Sequence, residues 1–444
     1  MQDMTRGSII AHLIRFSIPM ILGNILQLTY NAVDSVIISK FMGQTALAAV
    51  STSDPIITIL VLGASGISLG ASVMVSKFRG AGDDDNIKKE FSTTFVFGLF
   101  FSFAVFLVGF LYSGKMLEWI RTPADAMTQA REYLQIYLVG FLFTFQYNVL
   151  ASCLRGLGDS KAPVYFLSVS CGMNIALDWL LVAAFPLGVA GAALATVISQ
   201  AAAAIGLWSY VRKRVPQLRL GKGEFVVSRV LLGQTLRIGS LTALQQAAQP
   251  LGKVCIQGVI NTQGIVAMDA FNAGCKIEDF SRIPTQSIGN GIMTCTAQNG
   301  GAGQQARMVQ SLRDGLILAG VYYPIIFLIT QLLKAPTIRL LSPDGAEEII
   351  AAGISYIALK AFFFIMPGIN NAIQGFYRGM GMMKIVLIGT VLQTGIRTIC
   401  VFFWVPQMGI NGESWACFTG WACQAVVEYA LFFYWKHKGR FTCS

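Results

Sequence analysis

The chain carries an internal repeat with a period of 221 residues. Small residues that allow close helix packing keep this separation: Gly43, Ala46, Ala49, Gly70, Gly188 and Gly191 return as Gly264, Ala267, Ala270, Gly291, Gly409 and Gly412. Two copies of about 220 residues indicate a duplicated fold, and duplicated helical bundles are the architecture of many carriers. The repeat therefore makes a transporter the first hypothesis.

The chain is too apolar to fold as a soluble protein. Of its 444 residues, 54% are hydrophobic and 12% are charged, whereas a soluble domain has about 25% charged residues. The charge-free stretches 91–114, 179–211 and 315–333 are examples. Each can cross a hydrocarbon core about 30 Å thick, which takes about 20 residues. The sequence predicts an all-α integral membrane protein.

Twelve membrane-spanning helices are predicted, six in each copy of the repeat. An even number per copy preserves orientation, so the two pseudo-symmetric six-helix bundles are parallel repeats. We expect an amino-terminal lobe over 1–211, a cytoplasmic linker over 212–231 and a carboxy-terminal lobe over 232–444. The predicted spans are 10–38, 46–76, 91–112, 127–149, 162–184, 189–211, 232–261, 265–297, 313–333, 347–369, 384–406 and 410–435.

Basic residues are distributed unequally between the two ends of these spans. With both termini inside, 21 basic residues lie on the cytoplasmic side and six lie outside. Positive charge favours cytoplasmic loops, so both termini and the linker are predicted to be cytoplasmic. Attraction to anionic headgroups accounts for the net charge of +11 without a nucleic-acid partner.

Polar side chains form a stripe along the first predicted span. Asn24, Gln27, Asn31 and Asp34 follow at spacings of three, four and three residues, which places them on one helix face. Pro19 lies one turn before the stripe, where its ring and missing N–H weaken the helix. An acid at membrane depth costs about 2.5–3.5 kcal/mol on insertion scales. We therefore predict a cavity-lining stripe with Pro19 as a hinge.

The fifth and sixth predicted spans carry further oxygen-bearing side chains. Asn174 and Asp178 lie at i and i+4 on the fifth span, and Thr196 lies on the sixth. If these helices face Asp34, the two acids either share a proton or, with their neighbours, replace the water shell of Na⁺. A third reading, in which the acids only hydrogen-bond neighbouring helices, stays open.

The second half does not copy these acids. Cys255 and Ile399 occupy the positions that correspond to Asp34 and Asp178. Instead, polar and charged residues lie on the seventh and eighth spans: Gln246, Gln249 and Lys253, then Asp269, Lys276, Glu278, Asp279 and Arg282. These residues either pair within the lobe, as Lys276 could with Asp279, or contact the substrate. The sequence does not choose between the two roles.

Motifs for catalysis or cofactor binding are not found. The nine cysteines are scattered without metal-ligand spacing, and the two histidines, His12 and His437, lie near the termini. The sequence has neither a phosphate-binding Walker loop nor a dinucleotide fingerprint. We therefore expect no enzyme activity and no cofactor, with a gradient of H⁺ or Na⁺ as the energy source.

Several motifs resemble those of the MATE family, the multidrug and toxic compound extrusion transporters. They cover nearly the whole chain and include Pro19 before Leu28-Thr-Tyr-Asn-Ala-Val-Asp34, Asn174-Ile-Ala-Leu-Asp178, and the stretch from Gly188 to Gln200. The resemblance implies two six-helix lobes, a V-shaped central cavity, and export of amphipathic, often cationic, organic compounds in exchange for H⁺ or Na⁺.

Within that family the chain is most similar to the prokaryotic branch related to DNA-damage-inducible protein F. In that branch, the positions that match Asp34, Asn174, Asp178 and Thr196 form an ion site. The resemblance also implies a monomer in the prokaryotic plasma (inner) membrane that takes small-molecule substrates. A lipid-linked oligosaccharide or lipid flippase of the same superfamily stays an alternative, because basic residues could hold a diphosphate: Lys253, Lys276, Arg282 and Arg397.

Overall fold

The computed structural model describes residues 1–185, 187–342 and 346–438, with the side chains of residues 31, 35 and 44 outside the description. These residues form twelve helical spans and no β-strand. The spans are α1 (Ile9–Gly43), α2 (Thr45–Ala81), α3 (Asp84–Trp119), α4 (Ala124–Gly156), α5 (Lys161–Ala184), α6 (Gly188–Arg214), α7 (Arg229–Asn261), α8 (Ile265–Gly301), α9 (Gln305–Leu341), α10 (Glu347–Ala361 and Ile365–Gly379), α11 (Met383–Met408) and α12 (Asn411–His437).

The predicted all-α membrane fold is confirmed. Each predicted span lies within one of these helices to within one residue, with α10 formed by two segments that meet at 48°. In the described part of the chain, nine helices and the bent pair are long and apolar enough to cross a membrane. The other two helices, α7 and α8, are less apolar because glutamine and charged side chains occur along their length.

The repeat recurs in the backbone conformation. Gly43 and Gly264 interrupt the chain between the first and second helices of their copies with φ of 82° and 90° and ψ of −177° and 177°. This region is open essentially to glycine alone. Three further glycine pairs share a left-handed φ: Gly82 and Gly303 (72° and 71°), Gly158 and Gly381 (83° and 76°), and Gly188 and Gly409 (60° and 60°).

The chain divides into two compact units whose bounds differ from the predicted lobes. Unit 1 comprises residues 1–3 and 19–243, and unit 2 comprises residues 4–18 and those from 244 onward. Residues 4–18, predicted in the first lobe, group with unit 2. The predicted linker and the start of α7 group with unit 1. Consequently α1 and α7 each begin in one unit and end in the other.

Glycines of the repeat explain this exchange of helix ends. In unit 1, a Cβ on Gly70 would lie 2.6 Å from the backbone oxygen of Thr235, in the first part of α7. In unit 2, the repeat-related Gly291 packs against Leu13 and Ser17 of α1, and the Ser17 hydroxyl donates to the Ser287 carbonyl at 3.2 Å. The missing side chains let the exchanged helices approach closely.

The segment between α6 and α7 is fastened to α3. The backbone N–H of Val226 donates to the Ser92 hydroxyl at 2.8 Å, and that hydroxyl donates back to the Val226 carbonyl at 3.0 Å. In the same segment, the Gly221 N–H and the nearby Lys88 ammonium, 3.6 Å away, lower the pKa of Glu224. These contacts are all within unit 1.

Candidate functional site

Four predicted site residues converge in unit 1 from three helices. Asp34 lies on α1, Asn174 and Asp178 lie on α5, and Thr196 lies on α6. The side chains of Asn174 and Asp178 are buried, whereas Asp34 and Thr196 are half-buried. Asp178 immediately precedes a turn of π-helix over 179–184, a distortion that is frequent at functional sites.

Short contacts join these four residues. The carboxyl groups of Asp34 and Asp178 lie close enough to each other to interact directly. The Asn174 amide, oriented by its partners, donates to Asp178 Oδ2 at 2.7 Å and accepts from the Thr196 backbone N–H at 3.2 Å. The Thr196 hydroxyl donates to the carbonyl of Ala192, one turn earlier, at 3.1 Å. The site is thus one connected network.

The contact between Asp34 and Asp178 limits their protonation. Two carboxylates this close repel each other strongly unless a proton or a cation lies between them. Among the residues that the structure describes, Oδ1 of each acid is buried and has no hydrogen-bond partner. An unsatisfied buried oxygen costs about 1–3 kcal/mol, which a proton or a small cation would relieve.

The structure adds residues to this site that the sequence analysis did not select. Tyr30 lies near the Thr196 side chain and near both acids. Asp54 of α2 and the buried Tyr133 of α4 also interact with Asp34. The sequence held a signal for two of these residues. Tyr30 lies one turn before Asp34, and Asp54 is a third acid within an apolar span.

Unit 2 contains a second polar centre, built on a buried lysine. Lys360 of α10 is fully buried, and its Nζ lies 2.6 Å from Glu278 Oε2 and 3.1 Å from Glu413 Oε2. The Tyr356 hydroxyl donates to the same Glu413 oxygen at 2.5 Å. Arg397 of α11 donates to Glu413 Oε1 through Nε at 3.0 Å and also through its terminal nitrogen. The lysine thus has a carboxylate on each side.

A cavity of about 260 Å³ opens beside this centre. It is lined by residues of α7, α8, α11 and α12: Gln249, Pro250, Gly252, Lys253, Ile256, Cys275, Glu278, Asp279, Arg282, Gln393, Thr394, Arg397 and Trp421. The predicted Gln249 and Lys253 are among them. The ion pair that the structure describes for Asp279 is with Lys253, at 3.9 Å, and not with Lys276 as the sequence suggested.

The other predicted cavity residues are placed differently. In unit 1, Asn24 is half-buried and Gln27 is exposed, whereas the side chain of Asn31 lies outside the described residues. In unit 2, Gln246 is half-buried and is not part of the cavity wall. Their role stays a prediction. Pro19 lies inside α1 at the residue where this helix passes from unit 2 to unit 1.

Two members of the unit 2 centre, Lys360 and Glu413, were missed by the sequence analysis. Each is a charged residue close to or within a long apolar stretch, which is the signal that would have found it. Asp269 and Lys276, which the sequence did select, are absent from the cavity wall.

Comparisons with known proteins agree with this architecture. The MatE family model matches residues 19–180 and 242–403, once in each copy of the repeat. The chain is 27% identical, over 99% of both sequences, to the probable multidrug resistance protein YpnP of Bacillus subtilis.

Two solved structures share the fold. One is a MOP superfamily transporter from Pyrococcus furiosus, with a TM-score of 0.89, 21% identity and coverage of 97% of this chain and 96% of that chain. The other is an outward-facing multidrug resistance MATE family transporter of the MOP superfamily, with a TM-score of 0.91, 21% identity and 96% coverage of both. At the level of the family, the resemblance seen in the motifs is therefore confirmed. The chain belongs to the MatE family, whose members are multidrug efflux transporters and not enzymes.

Proposed function

We propose that this protein is a secondary active antiporter that exports amphipathic organic compounds in exchange for H⁺ or Na⁺. The observation that carries the proposal is the close approach of two acids at membrane depth, Asp34 and Asp178, each with a buried Oδ1 that has no hydrogen-bond partner among the described residues. The name of the Bacillus subtilis relative, a probable multidrug resistance protein, supports drug-like substrates. We further propose a monomer in the prokaryotic plasma membrane with both termini cytoplasmic.

The pair would couple ion and substrate through α1. When the site is empty and both acids are ionised, their repulsion at low dielectric pushes α1 away from α5. A proton or Na⁺ removes this repulsion and draws the helices together. Because α1 begins in unit 2 and continues in unit 1, a bend at Pro19 would transmit the change from one unit to the other.

Exchange then follows from reciprocal linkage. If the ion-bound form of the protein has lower affinity for the substrate, bound substrate lowers the affinity for the ion by the same factor. Each ligand therefore displaces the other, which is the thermodynamic requirement for antiport. The Asp34, Asn174, Asp178 and Thr196 cluster is the proposed ion site, in keeping with the branch related to DNA-damage-inducible protein F.

Transport by purified protein in liposomes tests this function. A cationic and an anionic fluorescent amphipathic dye are loaded into separate liposomes, and an H⁺ gradient and a Na⁺ gradient are imposed in separate experiments. We expect one of the two gradients to accelerate dye movement at least about tenfold, and an ionophore that collapses that gradient to abolish the effect. Equal rates with and without each gradient would contradict antiport.

A further inference from the structure

The charges around the unit 2 cavity do not balance. The carboxylates of Glu278 and Glu413 form ion pairs with three cationic side chains: Lys360, Arg397 and Arg282. The closest contacts of both acids are to Lys360 and Arg397, which sit deepest in this centre. One positive charge is left over, and the geometry places it on Arg282.

Arg282 is held loosely by its neighbours. Its Nη1 lies 3.8 Å from Glu278 Oε1, whereas the other oxygen of Glu278 is 2.6 Å from Lys360. The Nη2 group donates to the neutral Gln249 side chain at 3.1 Å. The Nε–H is buried and has no hydrogen-bond partner in the described part of the chain. The only ion-pair carboxylate that the described residues give Arg282 is 3.8 Å away and is shared with Lys360. A guanidinium held this loosely can bind an oxyanion.

The remaining charged residues of the cavity wall do not cancel this surplus. Lys253 and Asp279 form a pair at 3.9 Å in which both side chains are about half exposed, at 48% and 54%. As a pair they are neutral. The wall also offers the polar Gln393 and Thr394, beside the apolar surfaces of Ile256 and Trp421. A ligand here would meet one excess cation next to an apolar surface.

We propose that the unit 2 cavity binds an organic monoanion, with a carboxylate against Arg282 and an apolar body against Ile256 and Trp421. This names a substrate class for the proposed exporter, and it rests on the proposed function only for the statement that the bound compound is exported. One negative charge would balance the centre and give the Arg282 guanidinium a closer carboxylate than Glu278, which is 3.8 Å away. A cation would add to the surplus charge, and a diphosphate would exceed it.

Equilibrium binding to the purified full-length protein, without any gradient, tests the proposal. Three probes share one ring system and differ in charge: tritiated 2-naphthoate, 2-naphthamide and (2-naphthyl)methylammonium. We expect 2-naphthoate to bind at least about tenfold more tightly than either of the others. Micelles without protein provide the blank for partitioning of the probes.

Two substitutions are expected to move 2-naphthoate affinity in opposite directions. Arg282→Gln should weaken binding at least about tenfold, whereas Arg282→Lys should retain part of it, since the charge is kept. Asp279→Asn should strengthen binding, because Lys253 loses its counter-charge. Arg339→Gln removes the same charge from an exposed site on α9 and should change nothing. A gain of affinity cannot result from misfolding, so Asp279→Asn keeps the test decisive.

The proposal is overturned if the ammonium probe binds as tightly as 2-naphthoate, or if Arg282→Gln and Arg339→Gln bind 2-naphthoate equally. Its failure is separable from that of the proposed function. Binding of 2-naphthoate without gradient-driven transport of any compound would uphold this site and refute antiport. Gradient-driven export of a cationic dye without 2-naphthoate binding would uphold antiport and refute this site.

Discussion

Lys360 and Glu278 form an ion pair, with 2.6 Å between Nζ and Oε2, in a part of unit 2 where Lys360 has no solvent-exposed surface. Both charges were removed from water to make this contact, and a second carboxylate, Glu413, is needed to hold the lysine. Such pairs add little net stability, but the loss of one partner is costly. The centre therefore fixes α8, α10 and α12 to one another in one register.

Breaking this ion pair should destabilise the protein more than any loss of surface charge. Lys360→Met leaves two buried carboxylates short of a partner, and we expect a cost of about 3–5 kcal/mol and a lower midpoint of thermal unfolding in detergent. The double variant Lys360→Met, Glu278→Gln should recover part of the loss. Lys276→Met, at an exposed position on α8, is the control. A single variant as stable as this control would show that the pair does not hold unit 2 together.

The two acids of unit 1 should be needed for coupling but not for folding. Asp34→Asn and Asp178→Asn keep the shape and a hydrogen-bond donor, but neither can share a proton between two carboxyls. We expect gradient-driven transport to fall at least about tenfold with an unchanged unfolding midpoint. Asp125→Asn removes an exposed acid at the start of α4 and should transport normally. Full coupled transport by both site variants would refute the ion site.

Substrate affinity should depend on the occupancy of this pair. Because protonation or Na⁺ binding is proposed to lower substrate affinity, the dissociation constant should rise as pH falls or as Na⁺ is added. We expect a change of at least about tenfold, or about 1.4 kcal/mol of coupling. Titrations in detergent across pH, with and without Na⁺, measure it. Flat curves in both series would mean that the pair does not communicate with the substrate.

The orientation of the chain can be tested at the segment between α6 and α7. A cysteine at Gly221, in a variant without the nine native cysteines, should resist an impermeant thiol reagent in intact cells and react after lysis. A cysteine at Ala124, exposed at the start of α4, lies on the predicted outer side and should react in intact cells. The opposite labelling pattern would invert the predicted topology.

Close packing of α2 against α7 should depend on the missing side chain of Gly70. Gly70→Ala places a Cβ 2.6 Å from the Thr235 carbonyl oxygen, so the helices must move apart, at a cost of about 1–3 kcal/mol. Gly63→Ala is the matched control on the same helix, since its Cβ would meet nothing within 4 Å. Thermal unfolding of the two variants should differ accordingly, and equal midpoints would argue against this contact.

Much of the proposed ion site could be predicted from the sequence because its signals are local. The spacing of Asn24, Gln27 and Asp34 defines a helix face, and Asn174 and Asp178 lie one turn apart, so helical periodicity alone groups them. Only the tertiary structure shows that the residues of α1 and those of α5 meet. A helix satisfies its backbone hydrogen bonds internally, so the backbone does not determine that α1 packs beside α5. Side-chain packing brings Asp34 close to Asp178.

The sequence by itself determined the duplication, the positions of the twelve helices and the candidate acids, because apolar length and helical period follow from neighbouring residues. The tertiary structure alone decided that residues 4–18 belong to unit 2 and that the start of α7 belongs to unit 1. It also decided that Lys360 binds Glu278 and Glu413. Helix partners depend on how closely backbones approach and on which buried charges neutralise each other, and neither has a fixed spacing along the chain.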